Sequence, residues 1–227
     1  MHDSEKVKGV LLGLGADLCG IAPVERYAGA PAGFHPRDIF KDCRAVIAFA
    51  KRLPTGVLDA ESCIPYTRAN DQAVSEVDAI TFNAALSLED LGMRSVIIPS
   101  DDPYEHWEPE RMHGRGILSL RHAGRLAGLG VLGRNTLLIN ESYGNMIQIG
   151  ALLVDVELEG DPLATYEGCR PDCDLCIDAC PAGALDGETA DQQKCRPASM
   201  VTNARGFMLK KCYACRAVCP HALSVKD

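Results

Sequence analysis

Cys169-Arg-Pro-Asp-Cys173-Asp-Leu-Cys176-Ile-Asp-Ala-Cys180-Pro181, then Cys195, then Cys212-Tyr-Ala-Cys215-Arg-Ala-Val-Cys219-Pro220 is the stretch that decides how the C-terminal part of this chain folds. Eight of the 11 cysteines lie here, while Cys19, Cys43 and Cys63 are scattered through the rest. A compositional step that sharp marks a segment with its own reason to fold. Each half ends in Cys-x2-Cys-x3-Cys-Pro. Proline after the last cysteine fixes φ and supplies no N–H, which turns the chain away from whatever the thiols hold. The odd cysteine count, with no secretory leader in view, argues against a disulfide framework.

The spacing is the tail of the bacterial ferredoxin signature, in which the last cysteine serves the other of two clusters. One short loop wraps about three corners of a cubane, so the fourth thiolate comes from elsewhere. The expectation is two [4Fe–4S] clusters. One takes Cys169, Cys173, Cys176 and Cys219; the other takes Cys195, Cys212, Cys215 and Cys180. Two spacings depart from the strict pattern. Cys169 and Cys173 are separated by three residues, and Cys195 stands well before Cys212. Both read as loop insertions. The competing reading is an all-thiolate zinc ribbon from Cys173, Cys176, Cys212 and Cys215. It leaves four cysteines and both prolines unexplained. Arg170, Arg196, Lys210, Lys211 and Arg216 are candidates to offset the negative charge of such clusters, or are ordinary solvated residues.

Outward from this segment, composition narrows the function. The 227 residues suffice for one large domain or one domain with a small appendage. The net charge of −8 disfavours a nucleic-acid partner, which calls for excess Lys and Arg against phosphates. No apolar run reaches the length of a membrane span, and Met1 to Lys6 does not read as a signal peptide. The expected location is the cytoplasm.

Before residue 160 helices and strands intermix, which predicts an α/β or α+β layered domain over 1–160, followed by a ferredoxin-like domain over 161–227. Residues 4–16 read as a helix and 17–23 as a strand. Residues 44–50 form a compact apolar run, consistent with a buried strand. Residues 24–42 and 53–68 read as loops. Val74, Val77, Ile80, Ala84, Leu88 and Leu91 recur at helical spacing and predict a helix over 71–91, stopped by Gly92. A strand is expected over 94–99, irregular chain over 100–115 and a helix over 117–129. Residues 135–140 and 145–156 read as two strands of a hairpin turning at 141–144.

Gly128-Leu-Gly130-Val-Leu-Gly133 spells G-x-G-x-x-G. A dinucleotide fingerprint follows a strand and opens a helix; here a helix precedes it and strand-like residues follow. A nicotinamide site is therefore not expected. The glycines more simply permit a bare-backbone loop that could lie against a flat cofactor.

Ala127-Gly-Leu-Gly-Val-Leu-Gly-Arg-Asn-Thr-Leu-Leu-Ile-Asn140, Tyr143-Gly144, Gly150-Ala-Leu-Leu-Val-Asp155 and the opening Gly15-Ala-Asp-Leu-Cys-Gly-Ile-Ala-Pro23, followed by the cysteines, resemble the epoxyqueuosine reductase family. The resemblance, which extends to the reductive dehalogenases, implies a nitroreductase-like, cobalamin-binding α/β domain joined to a two-cluster ferredoxin segment. It implies electrons passing from the clusters to a corrinoid, with a flavin as second choice, held at Gly128, Gly130, Gly133, Arg134 and Asn135. It also implies a short, divergent member without the family's C-terminal tRNA-binding repeat domain. Counting back from Gly130 to the position of the family's catalytic acid reaches Gly114, within Met112-His-Gly-Arg-Gly116, where no acid stands. His106, His113 and His122 lie nearby as alternatives for proton delivery, against the simpler reading of packed or solvated histidines. Tyr104 and Trp107 could wall a flat cofactor or merely pack. Cys19, Cys43 and Cys63 read as small buried hydrophobes.

Three functions remain open on this reading, and no catalytic residue is assigned. The first is a reductase whose α/β domain holds the cofactor. The second is an electron-transfer protein that donates to a partner such as a corrinoid protein. The third is a structural or binding protein stapled by metal. The first two require a redox partner protein or another low-potential electron donor. Oligomeric state is not readable.

Overall fold

The computed structural model describes residues 3–225; Met1, His2, Lys226 and Asp227, at the ends of the two expected domains, lie outside the described residues. Its centre is a four-stranded antiparallel sheet. Helix α1 (Ser4–Gly13) opens the chain, its N–H groups capped by the Asp3 carboxylate, which accepts from Glu5 and Lys6. Strand β1 (Leu18–Pro23) follows, then a single helical turn α2 (Pro36–Ile39), strand β2 (Ala45–Arg52) and the long helix α3 (Cys63–Asp90). Strand β3 (Ser95–Ile98) leads to a small hairpin of β4 (His106–Glu108) and β5 (His113–Arg115). Helix α4 (Leu120–Leu126) precedes a second small pair, β6 (Val131–Leu132) with β7 (Leu138–Ile139). Strand β8 (Ile147–Val154) then inserts between β2 and β3, giving the order β1-β2-β8-β3.

Burial of both faces of β2 explains its unbroken apolar run. Val46, Ala48 and Ala50 face a cluster with Ala123 and Ala127, at α4. Ala45, Ile47 and Phe49 face the opposite cluster, with Val7 and Leu11 of α1 and Val77, Ile80, Ala84 and Leu88 of α3. The period-two alternation therefore sorts residues between two helical layers rather than between core and solvent. Strand β8 does the same, with Ala151 and Leu153 toward α4 and Leu152 and Val154 toward α1 and α3. The result is the expected mixed α/β domain, with the sheet between helices.

Four local expectations change. Helix α3 begins at Cys63 rather than near Asp71, because its first turns are packed by the C-terminal segment. Tyr66 stacks on Tyr213 at 4.2 Å between ring centroids, and Thr67 Oγ1 accepts from the Lys210 N–H at 3.0 Å. Residues 100–115 are not wholly irregular but carry the β4–β5 hairpin. The helix expected over 117–129 is confined to Leu120–Leu126. The hairpin expected between 135–140 and 145–156 does not form, because β7 pairs back with β6 and β8 joins the central sheet.

The remaining elements belong to the cysteine-rich segment. Short helices α5 (Leu175–Asp178) and α7 (Ala214–Ala217) pack against each other. Between them lie α6 (Gln192–Ser199) and a hairpin of β9 (Met200–Thr202) with β10 (Met208–Lys210). Among the described residues, no helix is long and apolar enough to cross a membrane.

Candidate functional site

The loops around α5 and α7 carry the cysteines into two groups. Burial raises the Cys219 thiol, and the charges of Cys169, Cys176 and Cys173 raise it further. Cys176, the one buried member, is likewise raised by burial and by Cys169 and Cys173. Cys215 is pushed up to about 11, first by burial, with added repulsion from Cys195, Cys212 and Cys180; the Arg216 guanidinium opposes this. The thiols that act on Cys219 are thus those of Cys169, Cys173 and Cys176, and those that act on Cys215 are Cys195, Cys212 and Cys180. Among the described residues, no three His, Cys, Asp or Glu side chains converge as they would around a single metal ion.

Backbone N–H groups point at these sulfurs. Arg134 N–H donates to Cys169 Sγ at 3.4 Å and Ala184 N–H to Cys180 Sγ at 3.3 Å. The first comes from the glycine loop, which turns out to be a clamp on the cysteine segment. The Arg134 guanidinium pairs with Asp174 at 2.6 Å and donates to the Pro171 carbonyl at 3.0 Å. Asn135 Nδ2 donates to the Cys215 carbonyl at 3.0 Å. Asn145 Nδ2 donates to the Arg216 carbonyl at 3.4 Å, and the Arg216 guanidinium donates back to the Asn145 carbonyl.

The glycines of the loop are accounted for by close approach of the chain to itself. A Cβ on Gly128, whose φ is +78°, would stand 2.2 Å from the Pro162 carbonyl oxygen. One on Gly130 would stand 2.2 Å from the Ile139 carbonyl oxygen, and one on Gly133 would stand 2.7 Å from Ile139 Cδ1. The side-chain directions of all three are filled by protein.

Open space lies elsewhere. A cavity of about 870 Å³ is bounded by the chain around Arg26 to Phe34, by β5 and by α4. Ala190 and Gln192 close it from the cysteine segment. Gln192 opens α6, the helix that carries Cys195, and is joined to β5 by a reciprocal pair. Its Oε1 accepts from Gly114 N–H and its Nε2 donates to the Gly114 carbonyl, each at 3.0 Å. One short helix therefore supplies both a wall of the cavity and a cysteine of the second group.

Of the three histidines singled out from the sequence, His113 and His122 line this cavity and His106 is not among its lining residues. His106 is exposed and lies against the Phe34 ring at 5.6 Å. His122 Nδ1 sits 2.7 Å from Ser119 Oγ, and its pKa is lowered by burial and by Arg121 and Arg125. His113 Nδ1 lies 3.7 Å from Glu108. Tyr104 and Trp107 stack on each other and both take the Arg196 guanidinium, at 5.3 and 5.1 Å from their ring centroids. They do not line the large cavity; Tyr104 borders a smaller one of about 260 Å³. Asn145, Gln192 and Arg216 as a buried anchor had no motif to announce them. Each acts through a backbone carbonyl or N–H, which leaves no residue-type pattern in a partner.

No protein-family model matches the chain. Curated proteins do. Epoxyqueuosine reductase of Staphylococcus aureus is 36% identical over 126 residues, which is 50% of this chain and 32% of that protein. Epoxyqueuosine reductase of Listeria monocytogenes is 28% identical over 199 residues, 82% of this chain and 50% of that protein. The chain thus spans about a third to a half of the length of these relatives. Among solved structures, epoxyqueuosine reductase from Streptococcus thermophilus superimposes with a TM-score of 0.68 at 18% identity, covering 100% of this chain and 69% of that one. A reductive dehalogenase studied for B12-dependent dehalogenation gives 0.70 at 19% identity, covering 95% of this chain and 31% of that one. At these identities the structural likeness is one of fold, and it accords with the resemblance carried by the sequence motifs.

Proposed function

We propose that this chain, related to epoxyqueuosine reductases and B12-dependent reductive dehalogenases, is an iron–sulfur oxidoreductase in which two [4Fe–4S] clusters pass electrons to a cofactor in the large cavity, a corrinoid in first place. The observation that carries the reading is the double role of α6, which brings a cavity wall and a cluster cysteine onto one eight-residue helix.

The donor set suits cubanes better than zinc. Four thiolates around one zinc at about 2.3 Å would converge tightly. Here the thiols sense one another's charge without converging on a single-ion site. Crowding and burial disfavour their thiolates, so a bound metal centre would supply the compensating charge. The ligand sets are Cys169, Cys173, Cys176 and Cys219, and Cys195, Cys212, Cys215 and Cys180. The N–H groups of Arg134 and Ala184 then act as dipoles on the coordinated sulfurs, which helps set the potential. When bound, clusters supply single electrons at low potential and a corrinoid supplies a strongly reducing centre.

The chain's own residues enclose and orient. Gly114 and Gly116 line the cavity beside β5; the side-chain direction of Gly114 is taken by the Tyr104 and Trp107 rings, and its backbone N–H and carbonyl by Gln192. Gly114 is the position at which the resemblance places the family's acid. His113 and His122 are the histidines that line the cavity, and they are the candidates for proton delivery there. The glycine loop serves as the hinge-free joint that seats the cluster segment.

Anaerobically purified protein should show a broad visible absorption that dithionite bleaches. It should then take up cobalamin stoichiometrically. A colourless, zinc-loaded protein would refute the clusters. Cluster redox without uptake of cobalamin or flavin would transfer the function to electron donation toward a partner protein.

A further inference from the structure

The large cavity has an electrostatic character opposite to that of the protein. The chain as a whole carries 23 Lys and Arg against 31 Asp and Glu. The lining of this one cavity contains four arginines, Arg26, Arg115, Arg121 and Arg125, with His113 and His122, and no carboxylate.

The arginines differ in how far the protein satisfies them. Arg26 is used structurally, donating to the carbonyls of Leu126 and Asp161. Arg121 donates to the Thr136 carbonyl, and burial without a neighbouring acid lowers its pKa. Arg115 lies over the Phe34 ring and 3.7 Å from Glu108, a carboxylate shared with Arg111 and His113. Arg125 is an exposed residue whose guanidinium makes no ion pair or hydrogen bond among the described residues; its carbonyl accepts from Gly128 N–H at 3.1 Å. Positive charge of this kind in a concave, partly apolar wall focuses potential inward and raises the local concentration of anions. Guanidinium groups in particular match the planar oxygens of carboxylates and phosphates.

We propose that this cavity binds an organic anion, a carboxylate or a phosphate monoester carried on a ring, with Arg125 as the anchor of the anionic group and Arg121 and Arg115 completing the field. The proposal rests on the reductase reading only in assigning that anion as the group brought to the cofactor. The binding site itself follows from the lining. Leu118, Leu126 and Phe34 supply apolar wall for the ring. The uncharged amides and alcohols of the same ring would leave Arg125 without a countercharge and gain nothing from the field.

The test is calorimetric titration of the anaerobically purified, cluster-bearing protein with phenyl phosphate, benzoate and benzamide, in low and high salt. Binding of phenyl phosphate or benzoate at one site, weakened by salt and at least tenfold by Arg125→Gln, is the expected result. The arm that binds more tightly names phosphate or carboxylate as the class. Arg205→Gln, a change at an exposed arginine over Phe207, should leave binding unchanged. Benzamide binding as tightly as either anion, no binding of any probe, or full affinity in Arg125→Gln would overturn the proposal. Cobalamin uptake measured on the same samples keeps the two readings apart. Anion binding without cobalamin uptake removes the corrinoid and leaves the anion site standing; the reverse removes the anion site alone.

Discussion

Asn135 Nδ2 donates to the backbone carbonyl of Cys215 at 3.0 Å while its Oδ1 accepts from Leu137 N–H at 3.1 Å, so one side chain ties the glycine loop to the second cysteine loop. Asn135 is only 4% exposed. Removing it leaves partly buried backbone groups without this partner, at a cost of about 1 kcal/mol. Asn135→Ala is therefore expected to lower Tm and to release iron to a chelator faster in anaerobic buffer. Wild-type values of both would show that this joint holds nothing.

The proposed exchange of cysteines between halves has a spectroscopic consequence. Cys180→Ser should disturb the same cluster as Cys212→Ser, and Cys219→Ser the same cluster as Cys173→Ser. Paramagnetic resonance of the reduced variants reads this directly, since each pair should lose a matching signal. A Cys180→Ser spectrum that matches Cys173→Ser would refute the exchange and return each half to its own cysteines.

What the sequence made legible was local or periodic. Buried strand β2 appears as an apolar run because both of its faces are covered, and α3 shows its core face at helical spacing from Val74 onward. The cysteine groups are legible because their spacing is short-range. The first turns of α3 are not, because Tyr66 and Thr67 are held by Tyr213 and Lys210, far away in the chain. Arg134 and Asn135 stand out beside the glycines, yet their hydrogen bonds run to Pro171 and Cys215 carbonyls. A carbonyl is offered by every residue type and gives no signal. The cavity was invisible for a related reason: its walls come from three separated stretches of chain, and its arginines are not consecutive.

The glycines of the chain divide sharply by surroundings, which makes a paired substitution informative. Gly130→Ala would press a methyl 2.2 Å from the Ile139 carbonyl oxygen, so backbone must move. Loss of soluble folded protein, or destabilisation of several kcal/mol, is expected. Gly9 lies exposed in α1 with nothing within 4 Å of its Cβ direction. Gly9→Ala should instead stabilise by about 0.5–1 kcal/mol through helix propensity. Urea unfolding of the two variants measures both. An unperturbed Gly130→Ala would contradict the close packing of this loop.

Cys19 and Cys43 are expected to be chemically silent in the folded chain. Burial pushes the Cys19 thiol up to about 12, with Asp161 adding to it, and pushes Cys43 up to about 11. The folded state thus keeps protons that the unfolded chain loses above about pH 9. Their contribution to stability is fully present below that pH and falls as pH rises toward the folded values. Urea midpoints should drop more steeply between about pH 9 and 11 in the wild type than in Cys19→Ala with Cys43→Ala. Equal slopes would show that neither thiol titrates differently on folding.

Arg216 is a buried cation, 8% exposed, whose guanidinium donates to the Asn145 carbonyl and reaches Met146 Sδ at 3.9 Å. It also draws the Cys215 thiol down against the effect of burial. A reduced cluster carries one more negative charge than an oxidised one, so a nearby cation favours reduction. Arg216→Gln should make one midpoint potential more negative by tens of millivolts, where about 59 mV is a tenfold change for one electron. It should also lower Tm, because the Asn145 carbonyl loses its donor. Arg216→Lys separates the two roles: it keeps the charge but not the planar fork. Recovery of the potential without full recovery of Tm is the expected pattern. An unchanged potential in Arg216→Gln would confine this arginine to joining the cysteine loop to the chain before β8.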